Sequence, residues 1–422
     1  MSANFLLTHI PQLVTVCPSR MTSTNPLGII TNGALVVRDG HLAWIGPQDA
    51  LDTCTSLWAD LPQAAATFPL LLPGLIDSHT HAVFAGDRAE EFDRRLAGDS
   101  YQQIAESGGG ILKTVEATRQ ADEHTLRSLT QTRLATMKRF GVTTAEVKVS
   151  YGLDLEADLR GLRVLQQLCD PQSPHYQPVQ VVPTYMAAHD IPPEYRYPGG
   201  TDAYTSLLCE QWLPAVAHSG LARCCDVFCE TGYFSPEQTQ RILKTAHGLG
   251  FLLKVHADEF ENTGGAALAA QVGALSADHL LHVSDEGIAA LKASNTVATL
   301  LPGTPFFLRL PHYAPARKLL DAGVTVAVAT DFNPGSCYTE NLPLVMQIAC
   351  LQMGMRPHEV VRGVTLHAAQ ALGLAADRGS LSAGKRADWL ALNTPSVDDW
   401  MYHLGVMPAC EVCIGGFICY KS

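Results

Sequence analysis

From about residue 70 to 375 the chain repeats one pattern, an apolar run of β type followed by an amphipathic helical stretch. The runs fall at 68–72, 143–147, 179–183, 225–228, 251–255 and 324–328. Such alternation, over a span close to the roughly 250 residues of a typical (β/α)₈ barrel, favours a parallel TIM-like barrel. The pattern also admits a doubly wound open sheet, but no glycine-rich dinucleotide fingerprint follows any run.

The two ends of the chain read differently. Ala34-Leu35-Val36-Val37 and His41-Leu42-Ala43-Trp44-Ile45 flank Arg38-Asp39-Gly40, a hairpin signal. Near the other end, the turn-rich stretch 379–388 leads into Trp389-Leu390-Ala391-Leu392. The simplest division is a small β-sandwich domain made from 1–69 plus 376–422, with the α/β barrel at 70–375.

Composition limits the function. A net charge of -12 opposes a nucleic-acid or anionic-membrane surface, so an anionic substrate needs a local basic residue. Twelve cysteines in 422 residues are too sparse for a disulfide scaffold and read as reduced thiols. With neither a secretory pattern at the start nor a membrane-length apolar run, the expected setting is cytoplasmic.

The chemistry lies where apolar strands end. His79 and His81 are two residues apart after the first run, which sets both imidazoles on one strand face. His256 closes the run at 251–255 and Glu259 follows it; Asp278-His279 ends a further run from Ala274; Asp331 follows 324–328. In a barrel, strand C-termini form the active face. His79, His81, His256 and Asp331 are therefore candidate ligands for one divalent metal, Zn²⁺ or Fe²⁺, with a position left for water.

These residues resemble the amidohydrolase superfamily, and the chain closely resembles its imidazolonepropionase family. The matching segments are PGLIDSHTHAVFAGDRAEEF (73–92), SGGGILKTVEATR (107–119), EVKVSYGLDLE (146–156), AAHDIPPEY (187–195), DVFCETGYFS (226–235), KVHADEF (254–260), SADHL (276–280) and ATDFNPGS (329–336). The histidine and aspartate pattern alone fits aminoheterocycle deaminases as well. The remaining segments favour a cyclic amidohydrolase of histidine degradation, which opens 4-imidazolone-5-propanoate to N-formimino-L-glutamate.

The resemblance implies roles. Glu259 would carry the water proton; His279 would stabilise the ring oxygen, orient the water or act as a further ligand. Arg88 would meet the propanoate, with Tyr151 and His189 as further substrate contacts. Asn333, Gly335 and Ser336 would line the opposite wall, the backbone approaching the ligand at Gly335. Tyr101 is a weaker candidate, with a packing role equally open. Gly108-Gly109-Gly110 lacks the ending of a phosphate loop and reads as a mobile active-site loop. Lys148 occupies a strand position where binuclear relatives carry a carboxylated lysine, but reads here as a plain strand lysine. Cys410 and Cys413 read as structural. Small-molecule turnover in a homodimer is implied. In two places the chain departs from the family pattern: Val149-Ser150 stands where Ser-Gly is usual, and Asp190 where a small residue is usual.

Overall fold

The computed structural model describes residues 3–53, 55–99, 103 and 109–422; Tyr101 and Gly108 lie outside them. Eight parallel strands follow one another in chain order: β1 (Leu75–Asp77), β2 (Val142–Val149), β3 (Gln180–Ala188), β4 (Cys224–Cys229), β5 (Leu252–Ala257), β6 (Ser276–His279), β7 (Val297–Leu300) and β8 (Val326–Val328). Most of their residues are buried, as befits strands covered on both faces. β1 meets β8 just past their ends, where Asp331 N–H donates to the His79 carbonyl at 3.0 Å and His81 N–H to the Phe332 carbonyl at 2.8 Å. The seam of the barrel thus runs through three of the expected metal ligands.

The intervening helices start where local chemistry tells them to. Asp122 accepts from Thr125 N–H ahead of Glu123–Arg139, and Asp154 from Ala157 N–H ahead of Leu155–Cys169. Ser235 and Gln238 form a capping box at Pro236–Gly248, with proline at the first helical position. Each cap satisfies N–H groups that the helix itself leaves unpaired.

Both chain ends join one mixed sheet. Its order is Phe417–Lys421, Ala409–Ile414, Trp389–Leu392, Leu70–Pro73, Phe5–Val14, Ile29–Arg38 and His41–Pro47, with Gln63–Ala65 also paired to Phe5–Val14. The Asp-Gly hairpin forms as expected, with Asp39 at φ 50° and Gly40 at φ 77°, the signs a type I′ turn demands. Alternation gives this sheet two apolar faces. Leu7, Leu35, Val37 and Trp389 pack on one, and Leu6, Val36 and Leu51 on the other.

Two strands differ from the sequence pattern. The run at 68–72, read with the barrel, places Leu70–Pro73 in the terminal sheet instead, antiparallel to Trp389–Leu392. The chain crosses into the barrel at Gly74, where a Cβ would lie 2.4 Å from the Thr143 side chain of β2, so only glycine fits. β7 has no counterpart among the runs, being four residues long and ending in no site residue.

Candidate active site

At the C-terminal mouth of the barrel, His79 and His81 leave β1, His256 sits in β5, His279 ends β6 and Asp331 follows β8. All five are at most 2% exposed. One ligand atom each from His79, His81 and Asp331 lies within 4.8 Å of the others, and the same holds for His79, His256 and His279. The two groups share His79. Three of the proposed ligands thus form one group, and His256 joins them through His79, alongside His279.

Burial, then nearby positive groups, hold the imidazoles of His79, His81 and His279 well below the usual range, so these rings are neutral and can donate lone pairs. The Nε2 atoms of His79 and His256 are buried with no hydrogen-bond partner among the described residues. Buried polar nitrogens are seldom left so. Neutral imidazoles, orphaned nitrogens and a carboxylate together fit a divalent metal.

The backs of the rings are held too. His79 Nδ1 is 2.7 Å from Asp278 Oδ2, and His81 Nδ1 is 2.8 Å from Ser150 Oγ. Such contacts set the tautomer and would hold the ring for a metal bound at Nε2. Asp331 Oδ2 accepts from Thr304 Oγ1 at 2.6 Å, while Asp77, its carboxyl pushed up to about 7 by burial, accepts from Thr330 N–H and Oγ1. Asp331 (φ 53°) and His279 (φ 77°) both have left-handed backbones, a conformation uncommon outside glycine. We expect Asp278→Asn to weaken metal binding by about 10–100-fold. A chelator-competition titration checks this, and unchanged affinity would remove Asp278 from the support of His79.

Below the histidines lies a layer of buried charge, of which the sequence drew attention to Lys148 but not to its partners. Lys148 Nζ contacts Glu146 Oε1 at 2.9 Å and Asp226 Oδ2 at 2.7 Å; Lys254 Nζ contacts Glu146 Oε2 at 2.9 Å and Asp278 Oδ2 at 3.5 Å. The ammonium of Lys148 is therefore committed, in line with the plain strand lysine expected there. A signal was present in the sequence: Glu146 and Lys148, and Lys254 and His256, are pairs at period two inside otherwise apolar strands.

The remaining candidates line the mouth. Glu259 is buried, with Oε1 3.5 Å from His279 Nδ1; burial first, then Asp331 and Glu230, push its carboxyl well above the usual range. His189 stacks on His81 at 5.0 Å and 20°, and Tyr151 lies edge-on to His189 at 5.4 Å. Burial holds His189 down at about 3, and its Nδ1 lies 3.1 Å from the Ser150 carbonyl. Asn333 accepts from the N–H groups of Gly335 and Ser336 and donates to the Asp331 carbonyl and Ser336 Oγ, so its amide shapes its own loop. Arg88 packs on that loop. A Cβ on Gly335 would lie 2.2 Å from Arg88 Nη1.

The amidohydrolase family model matches residues 230–408. Among relatives, an imidazolonepropionase of Symbiobacterium thermophilum is 45% identical over 406 residues, 96% of this chain and 94% of that protein. The chain belongs to the imidazolonepropionase family. A second imidazolonepropionase, from Porphyromonas gingivalis, is 44% identical over 99% of this chain and 98% of its own. A 5-methylcytosine deaminase from Klebsiella pneumoniae shares the fold, with a TM-score of 0.73 at 16% identity, covering 99% of this chain and 98% of that one. The structure also accounts for both departures from the imidazolonepropionase pattern. Ser150 supplies the hydroxyl beside His81, and Asp190 pairs with Arg196 at 2.9 Å.

Proposed function

We propose that this chain opens the ring of 4-imidazolone-5-propanoate to N-formimino-L-glutamate, a hydrolytic step of histidine degradation. One observation carries the reading beyond a generic amidohydrolase. The loop that begins with Asp331 packs, four residues on at Gly335, against the guanidinium of Arg88, which supports reading Arg88 as the fork that takes the propanoate. A deaminase acting on a neutral base has no need of that fork.

His79, His81, His256 and Asp331 would hold one divalent ion, Zn²⁺ or Fe²⁺, whose Lewis acidity makes hydroxide available near neutral pH. Glu259 takes the proton released as water adds to the ring carbonyl carbon. It returns that proton to the ring nitrogen as the carbon–nitrogen bond breaks. His279, beside Glu259, donates to the carbonyl oxygen as negative charge gathers there. Tyr151 and His189 form one wall of the substrate site and Asn333, Gly335 and Ser336 the other, while Arg88 binds the propanoate.

We place this activity in the cytoplasm, in a homodimer. The family resemblance supports both, and the eleven described cysteines, all free, accord with the first. Among the described residues no helix is long and apolar enough to cross a membrane. The test is incubation of the purified, metal-loaded protein with 4-imidazolone-5-propanoate. Loss of ring absorbance with formation of formiminoglutamate and no ammonia is expected, whereas stoichiometric ammonia would replace the reading with deamination.

A further inference from the structure

Arg88 is not simply an arginine at a pocket wall. Its Nε donates to Glu91 Oε2 at 2.8 Å, and the side chains are only 8% and 7% exposed. The other oxygen of the same carboxylate, Oε1, accepts the Gly110 N–H at 2.9 Å. Gly110 holds φ 80° and ψ -161°, a backbone conformation essentially reserved for glycine, at the start of the helix Ile111–Gln120. Glu91 lies in the first turn of Ala89–Ala97, where a carboxylate is favoured by the helix dipole. One buried carboxylate thus joins the arginine to the glycine segment.

The opposite side of the guanidinium is held as well. Gly335 leaves no room for a Cβ, which would lie 2.2 Å from Nη1 and 2.8 Å from Cζ, and the Gly335 carbonyl accepts from Arg95 Nη1 at 3.0 Å. With Nε committed to Glu91 and one flank set against Gly335, the guanidinium is held from two sides.

We propose that Glu91 is a positioning residue for substrate selection: it fixes the Arg88 fork so that the enzyme prefers a substrate whose side chain ends in a carboxylate. This rests on the reading of Arg88 as the propanoate-binding group. A free arginine loses rotamer entropy when it forms a bidentate pair, and one already fixed by Glu91 does not. The preference is therefore built into the unliganded protein.

The test is a double-mutant cycle on the metal-loaded enzyme, with Arg88→Ala, Glu91→Gln and the two combined. Glutamine keeps the volume but offers one carbonyl oxygen, so it cannot accept from both Arg88 Nε and Gly110 N–H in the same way. Arg88→Ala is expected to raise KM for 4-imidazolone-5-propanoate by about 30-fold or more, and Glu91→Gln by about tenfold. In the Arg88→Ala background, Glu91→Gln is expected to add nothing. With an analogue whose tail ends in a neutral amide, Glu91→Gln is expected to match the parent enzyme.

The failures are distinguishable. Unchanged KM in Arg88→Ala would overturn the reading of Arg88 itself. A raised KM in Arg88→Ala with parental behaviour in Glu91→Gln would overturn the role of Glu91 alone. Equal penalties from Glu91→Gln in both backgrounds, or on both substrates, together with lowered metal content or melting temperature, would show Glu91 to be merely structural.

Discussion

Glu259→Gln will keep the metal and lose turnover, with kcat falling by about 10²–10⁴-fold, the range supplied by a positioned proton carrier. Glutamine preserves the shape of the side chain and removes its ability to accept and return a proton. Glu259 lies three residues beyond His256 and its carboxylate contacts His279, which is not one of the four expected ligands, so the substitution leaves those four side chains in place. Two measurements on one preparation decide it, metal per chain and kcat under saturating substrate. Parallel loss of metal and activity would make Glu259 part of the metal support, and full activity would remove it from the chemistry.

The largest effect on stability will come from Lys148→Met, which we expect to lower unfolding stability by about 3–5 kcal/mol. Glu146, Lys148, Asp226, Lys254 and Asp278 are all fully buried, two ammonium groups among three carboxylates. Burial alone would raise the Asp226 carboxyl, but His256 and Lys148 outweigh it and hold that carboxyl well below the usual range. Without Lys148, three carboxylates face one ammonium in a dry interior. The contrast is Arg38→Ala, which breaks an ion pair with Asp60 whose side chains are 42% and 63% exposed. That change will cost no more than about 1 kcal/mol. Chemical denaturation of both variants measures the difference, and equal midpoints would show that the layer is not held by charge pairing.

Much of this arrangement is legible along the chain, because it rests on near neighbours. Asp39-Gly40 makes its turn since two adjacent residues accept positive φ, and Ser235 with Gln238 starts a helix within four residues. His79 and His81 share a face through strand periodicity alone, and the polar endings of β5, β6 and β8 mark the mouth of the barrel. The strand β7 was not legible in this way, for VATL carries too few residues for a period and no polar ending. Leu70–Pro73 was misread since apolar runs of a sheet and of a barrel look the same. Gly74 separates them only through Thr143, nearly seventy residues away in sequence.

What the chain's order of residues determined by itself is the kind of fold, the identity of the candidate ligands and the need for a local cation in an acidic protein. Which groups support those residues was decided only in three dimensions. His79 meets Asp278 across 199 residues, Lys148 meets Asp226 across 78, and Thr330 meets Asp77 across 253. Each contact depends on the register of strands distant in sequence and on the seam between β1 and β8. A polar residue within an apolar strand announces that it needs a partner, but barrel closure selects which one, because burial leaves it no water to pair with instead.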